Sequence, residues 1–171
     1  MINSDLKIKW LRDAEEGKLQ DMKEIYQQLK NKGLQHEVKN FKDSSGFNAL
    51  MCATGNGHLD ICQLLVRDDL VDVNEKNKWG GNALHFAAMN NRPEIAKFLL
   101  EETSIDANAQ TNDGRTALHS AANLNYPEVA RILLKYKPRL LKSKRGKTPL
   151  DVARRKGRKE IVLLLKTNYN S

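Results

Sequence analysis

Apolar residues along this chain fall into two alternating patterns. Four ten-residue segments carry bulky apolar side chains at helical spacing, as in Ile61, Leu64 and Leu65 of GHLDICQLLV (57–66), or Ile95, Phe98 and Leu99 of NRPEIAKFLL (91–100). NYPEVARILL (125–134) and GRKEIVLLLK (157–166) follow the same scheme. That spacing collects the bulky groups on one face of an amphipathic helix. The stretches before the first three segments hold small residues instead: Ala49 and Ala53, then Ala83, Ala87 and Ala88, then Ala117, Ala121 and Ala122. Small side chains let helices approach closely. The chain is thus predicted to be all-α, built from pairs in which a slender first helix precedes a bulky second one.

The punctuation agrees. Asn48, Asn82, Thr116 and Thr148 stand where each first helix begins, and each has a side-chain oxygen able to accept a free backbone N–H of the first turn. Pro93 and Pro127 fall in the first turn of a second helix and Pro149 in the first turn of the last slender one, where a missing N–H is harmless. Pro138 lies just past a helix end. Upstream, Leu6, Trp10 and Ala14 give one amphipathic face, and Leu19, Met22, Ile25, Tyr26 and Leu29 another. Gly17 marks the turn between them and Gly33 a C-terminal stop.

The pairs are copies of one another. Gly46-Phe-Asn-Ala-Leu-Met, Gly80-Gly-Asn-Ala-Leu-His, Gly114-Arg-Thr-Ala-Leu-His and Gly146-Lys-Thr-Pro-Leu-Asp recur with glycine spacings of 34, 34 and 32 residues. Two phrases recurring in a fixed order at this period define a repeat architecture, whose ends need polar outer faces.

With its Ala-Leu-His at 83–85 and 117–119, its Gly57-His58 turn, and its Val71-Asp72-Val73-Asn74 and Ile105-Asp106-Ala107-Asn108 segments, the chain resembles ankyrin-repeat proteins over residues 43 to about 166. The resemblance implies a solenoid of stacked helix-turn-helix units with short β-hairpin-like connecting loops. The expected organisation is one domain, 1–171: a divergent capping helix pair (1–42), repeats at 43–76, 77–110 and 111–142, and a C-terminal capping repeat (143–171). That division leaves no room for a further catalytic domain. The third repeat departs from the pattern, because Pro138-Arg-Leu-Leu-Lys replaces the Asp-Val-Asn type of segment and the unit is two residues short. Its hairpin is expected to be distorted.

Candidate chemistry is sparse. The cysteines, Cys52 and Cys62, are too few for a disulfide framework and lack zinc spacing, so they are expected to be reduced, buried thiols. His85 and His119 occupy one slot in adjacent repeats; in the resembled family that histidine bonds to neighbouring turns, and the structural role outweighs a metal or general-base role. No phosphate-binding glycine loop, nucleophile elbow or kinase signature is present. The expectation is a non-enzymatic protein with no cofactor, metal or small-molecule substrate. No membrane-length apolar run and no apolar leader appear, so a soluble, monomeric protein of the cytoplasm is expected, with the nucleus as the alternative.

What remains is recognition. In the resembled family, turn tips and the exposed side of the first helices line a concave partner groove. Position by position, that groove would take Ser44, Ser45, Phe47, Gly55 and Asn56 from the first repeat, and Lys78, Trp79, Gly81, Met89 and Asn90 from the second. The third supplies Asn112, Asp113, Arg115, Asn123 and Leu124, and the fourth Lys144, Arg145, Lys147, Arg155 and Lys156. Trp79 sits at a tip, where packing gives no reason for an indole, and Phe47, Met89 and Leu124 map to solvent-facing slots. Aromatic and Met side chains are enriched at interface cores; against that, Trp79 could fold back on the adjacent hairpin. Trp79, Phe47, Met89 and Arg115 are the expected anchors. The resemblance also implies that Asn74 and Asn108 occupy slots that can be hydroxylated.

Charge adds an asymmetry. The chain carries a formal +8, yet residues 1–130 sum to −4 and residues 131–171 to +12. KSKRGK (142–147) and RRKGRK (154–159) could steer an acidic protein segment, with Lys144, Arg145, Arg155 and Lys156 as the steering charges. They could also merely solubilise a terminal repeat, a role that weighs at least as much, while a nuclear-import signal, which needs an extended chain, and binding of nucleic acid or another polyanion weigh less. A protein-binding module acting as adaptor, inhibitor or assembly chaperone is the principal expectation, and polyanion binding the alternative.

Overall fold

The computed structural model describes residues 3–39 and 41–169. Ten helices follow in pairs: α1 (Ser4–Glu16) with α2 (Leu19–Asn31), α3 (Ala49–Asn56) with α4 (Leu59–Arg67), and α5 (Ala83–Met89) with α6 (Pro93–Glu102). α7 (Ala117–Leu124) pairs with α8 (Pro127–Lys135), and α9 (Pro149–Arg155) with α10 (Lys159–Tyr169). A short 3-10 turn covers Gln35–Glu37, and the described residues contain no strand.

The first helices stack in one layer, in the order α1, α3, α5, α7, α9, and the second helices α4, α6, α8 and α10 in another. Alanine makes the close layer possible, since Ala53, Ala87, Ala88, Ala121, Ala122 and Ala153 are fully buried. Between the layers two rows run the length of the repeats: Ile61, Ile95, Val129 and Ile161, and Leu65, Leu99, Leu133 and Leu165, none more than 2% exposed. Each such burial contributes roughly 1.5–3 kcal/mol. Within a pair, the chain reverses through a left-handed residue, Gly17, Gly57, Asn91, Asn125 or Gly157. Asn tolerates that conformation because its short amide can bond locally.

The connecting tips share one design. Asp43 N–H donates to the Phe47 carbonyl, Asn77 to Gly81, Thr111 to Arg115 and Ser143 to Lys147, each at 2.9 Å. Tips are also tied in series: Lys78 N–H donates to Ser45 O (3.1 Å), Asn112 to Trp79 (2.8 Å) and Lys144 to Asp113 (2.8 Å). One bond per neighbour makes these loops hairpin-like without making strands. The distortion expected of the third repeat is therefore misplaced. The next tip, residues 143–147, keeps the common geometry, and the irregularity lies in the segment before it, where Leu141 N–H bonds Arg139 O two residues back.

The histidines bind adjacent units together. His85 Nε2 donates to the Arg115 carbonyl (3.1 Å) and His119 Nε2 to that of Lys147 (2.9 Å). Nδ1 of His119 accepts from Thr116 N–H at the helix cap (3.1 Å). Asn74 works the same way farther out, donating to Ser104 O (3.0 Å) and accepting from Asp106 N–H (2.9 Å), while Asn108 accepts from Arg139 N–H (2.6 Å). The last unit differs. Asp151 replaces the histidine and closes on its own cap, accepting from Thr148 N–H (2.9 Å), and exposed Arg154 occupies the slot filled by buried Thr54, Ala88 and Ala122.

Candidate functional site

Trp79 is held out by its backbone. Asn77 Oδ1 accepts from both Trp79 N–H (3.1 Å) and Gly81 N–H (2.9 Å), closing the tip. Asn112 then clamps it from the next unit, N–H to Trp79 O and Nδ2 to Lys78 O, both at 2.8 Å. The indole remains 59% exposed. Its edge meets Phe47 of the preceding tip with centroids 6.2 Å apart and planes at 66°, and Phe47 in turn meets Phe86 at 5.0 Å. Edge and tilted pairs of this kind add about 0.5–1.5 kcal/mol beyond area burial. Trp79 thus does lean on the adjacent hairpin, but most of its surface stays available.

These rings line one wall of a groove of about 520 Å³. Met89 and Leu124, exposed on the last turns of α5 and α7, complete the apolar lining, while Asn112, Asp113, Arg115, Ser120 and Asn123 supply polar groups. Nine expected residues meet here: Phe47, Trp79, Gly81, Met89, Asn112, Asp113, Arg115, Asn123 and Leu124. Phe47 is the correction, being half-buried under Trp79 and against Phe86 and not solvent-facing. Asn77, His85, Phe86, Thr111 and Ser120 also line it without having been expected there. For Phe86 and Ser120 the signal was in the spacing, since 86, 89 and 90, like 120, 123 and 124, share one helix face at i, i+3 and i+4.

The other expected residues lie outside the groove lining. Lys78 is exposed on the tip of Trp79. Asn56 and Asn90 donate their amides to Cys52 O and Phe86 O, each at 3.0 Å, turning back onto the last turns of α3 and α5. Lys144, Arg145, Arg155 and Lys156 are exposed at the far end of the stack. Some lysines of the first two units are answered by carboxylates, as in Lys7–Glu37 (2.9 Å), Lys18–Glu16 (2.6 Å) and Lys42–Glu75. Among the described residues, no carboxylate lies within ion-pair distance of Lys144, Arg145, Lys147, Arg155 or Lys156. Nearby Asp151 is committed to Thr148; that bonding, aided by Lys147 and Arg154, holds its carboxyl below the usual range.

Burial is the largest influence on the titration of the two stacked histidines and the two thiols. Burial lowers the pKa of His85 and His119 against the raising effect of their carbonyl bonds. Burial pushes the Cys52 and Cys62 thiols up to about 12, away from a nucleophilic thiolate. Cys62 is buried as expected, whereas Cys52 is only partly so. No group of three or more His, Cys, Asp or Glu among the described residues is placed to hold a metal ion, and no described helix is long and apolar enough to cross a membrane.

A family model described as ankyrin repeats (3 copies) matches residues 14–111 and 103–171. Comparison with curated proteins gives no match.

Proposed function

Because the chain belongs to the ankyrin-repeat family, whose repeats are generally protein–protein interaction modules, we propose that it is a non-enzymatic module that holds a partner protein in the groove beside Trp79. One observation carries this: an indole 59% exposed, backed by Phe47 and fixed by hydrogen bonds from two sides of its tip. Exposed aromatics on a rigid frame are the favoured anchors of interfaces. A frame already ordered loses little conformational entropy on binding, and a standard interface needs about 800 Å² per partner, which several adjacent repeats could supply. Adaptor, inhibitor and assembly-chaperone roles all draw on this one property.

The test is comparative capture from cell extract with wild-type protein and Trp79→Ala, with retained proteins identified and both melting temperatures measured. Proteins held by the wild type and lost by the variant support the groove. Identical captured sets, or a variant that melts far below the wild type, would overturn it. The unpaired cations favour a second reading, binding of a polyanion through the last repeat. In that case heparin or DNA binds, affinity falls steeply with salt, and Trp79→Ala changes nothing.

A further inference from the structure

The repeat positions that line the groove recur in the last unit, beyond the residues that line it directly. Aligned on Gly46, Gly80, Gly114 and Gly146, the helix position nine residues on reads Gly55, Met89, Asn123, Arg155, and the next reads Asn56, Asn90, Leu124, Lys156. The tips read Ser44-Ser45, Lys78-Trp79, Asn112-Asp113 and Lys144-Arg145. The two helix positions, apolar or amide-bearing in the middle repeats, are thus cationic in the last, and the last tip carries two cations where the middle tips carry Lys78 beside Trp79 and Asn112 beside Asp113. Residues 142–158 hold eight cations and one carboxylate, and that carboxylate is committed to its own helix cap. Charge serving only to solubilise the end of the stack belongs on its outermost helix. There, α10 carries just Lys159 and Lys166 against Glu160, and leaves Leu163 63% exposed.

We infer that the occupant of this groove is an acidic peptide segment, one aromatic or long aliphatic side chain seated by Trp79 and a run of Asp or Glu laid over Lys144, Arg145, Arg155 and Lys156. This rests on the groove assignment above and adds chemistry and polarity to it. Neighbouring helices pack about 8–10 Å apart, so two steps from the Trp79 tip to the Lys144 tip span roughly 16–20 Å. The acidic run therefore begins about six residues from the anchor in an extended segment, at roughly 3.3 Å per residue, or about twelve in a helical one, at roughly 1.5 Å. Apolar seating alone would accept many segments. Cations with no carboxylate partner among the described residues penalise any that bring no negative charge and guide those that do.

The test is selection of a phage-displayed random-peptide library, about sixteen residues long to cover the extended span, on the wild-type protein near 0.15 M salt. The expected result is enrichment of peptides pairing an apolar anchor with an acidic run at one preferred spacing. A synthetic representative should lose on the order of tenfold affinity with Trp79→Ala, and a similar factor with Lys144→Glu, Arg155→Glu and Lys156→Glu combined. Should the charge reversals lower the melting temperature, the neutral set Lys144→Gln, Arg155→Gln and Lys156→Gln is read by the same criterion. Enriched peptides that need Trp79 but carry no acidic run reject this occupant and leave the groove intact. Acidic peptides displaced by heparin and indifferent to Trp79→Ala reject it in favour of charge alone, and a selection that enriches nothing rejects both.

Discussion

The imidazole of His119 in α7 donates from Nε2 to the backbone carbonyl of Lys147, 2.9 Å away in the next tip. Its other nitrogen accepts from Thr116 N–H, so only the neutral ring in one tautomer serves both bonds. His85 makes the equivalent bond to Arg115.

The first prediction is a stability change at mildly acidic pH. Burial, the largest cause, holds both histidines below the ordinary value of 6.5. As pH falls, the unfolded chain takes up these protons before the folded one, so stability is full above about 6.5 and is lost as pH falls through the lowered folded values. The urea midpoint should drop between about pH 7 and pH 5, above the range where carboxylates titrate. A His85→Gln, His119→Gln protein should start lower and fall less steeply; an unchanged slope would disprove the assignment.

Within the aromatic cluster, stability and binding should separate. Trp79→Ala removes a side chain that is mostly in solvent and should cost less than about 1 kcal/mol. Phe86→Ala removes a partly buried ring that supports Phe47 and should cost about 2 kcal/mol or more. Urea melts compare the two directly.

Two left-handed tip glycines should behave differently. A Cβ on Gly80 would lie 2.7 Å from Asn112 N in the next tip, whereas one on Gly146 meets nothing within 4 Å. Gly146→Ala should therefore show only the left-handed penalty, about 1–2 kcal/mol. Gly80→Ala adds displacement of the bond that clamps Trp79 and should cost more. Equal losses in denaturant titrations would contradict the close approach.

The thiols supply a chemical readout of packing. With both pushed up to about 12 by burial, neither Cys52 nor Cys62 should react appreciably with an aromatic disulfide reagent at about pH 8, where a free thiol of pKa about 8.5 would. Reaction should appear along the unfolding transition.

The fold was legible because each structural demand recurs. Asn48, Asn82, Thr116 and Thr148 announce four helix starts, and Pro93, Pro127 and Pro149 stand at first helical positions. Misjudgements came where a residue's neighbour is set by stacking. Phe47 looks solvent-facing within its own repeat and becomes half-buried only because Trp79 and Phe86 arrive from the next. Phe86 is hard to read because the alanines beside it define the buried face of α5, whereas its own ring lines the groove beside Trp79 and Met89. The Pro138 segment altered the loop but not the tip, since the tip's geometry depends on its own bonds.

The exchange of His85 and His119 for Asp151, and of Ala88 and Ala122 for Arg154, sets a rule for lengthening the molecule. A duplicate of the α7–α8 unit spliced into the middle of the array finds a receiving carbonyl ahead of its histidine and an alanine surface behind it. The same duplicate joined beyond α10 meets a guanidinium where it must nestle and a carboxylate already closed on Thr148. Extension in that direction requires Asp151→His and Arg154→Ala first, so two side chains decide on which side this array can grow.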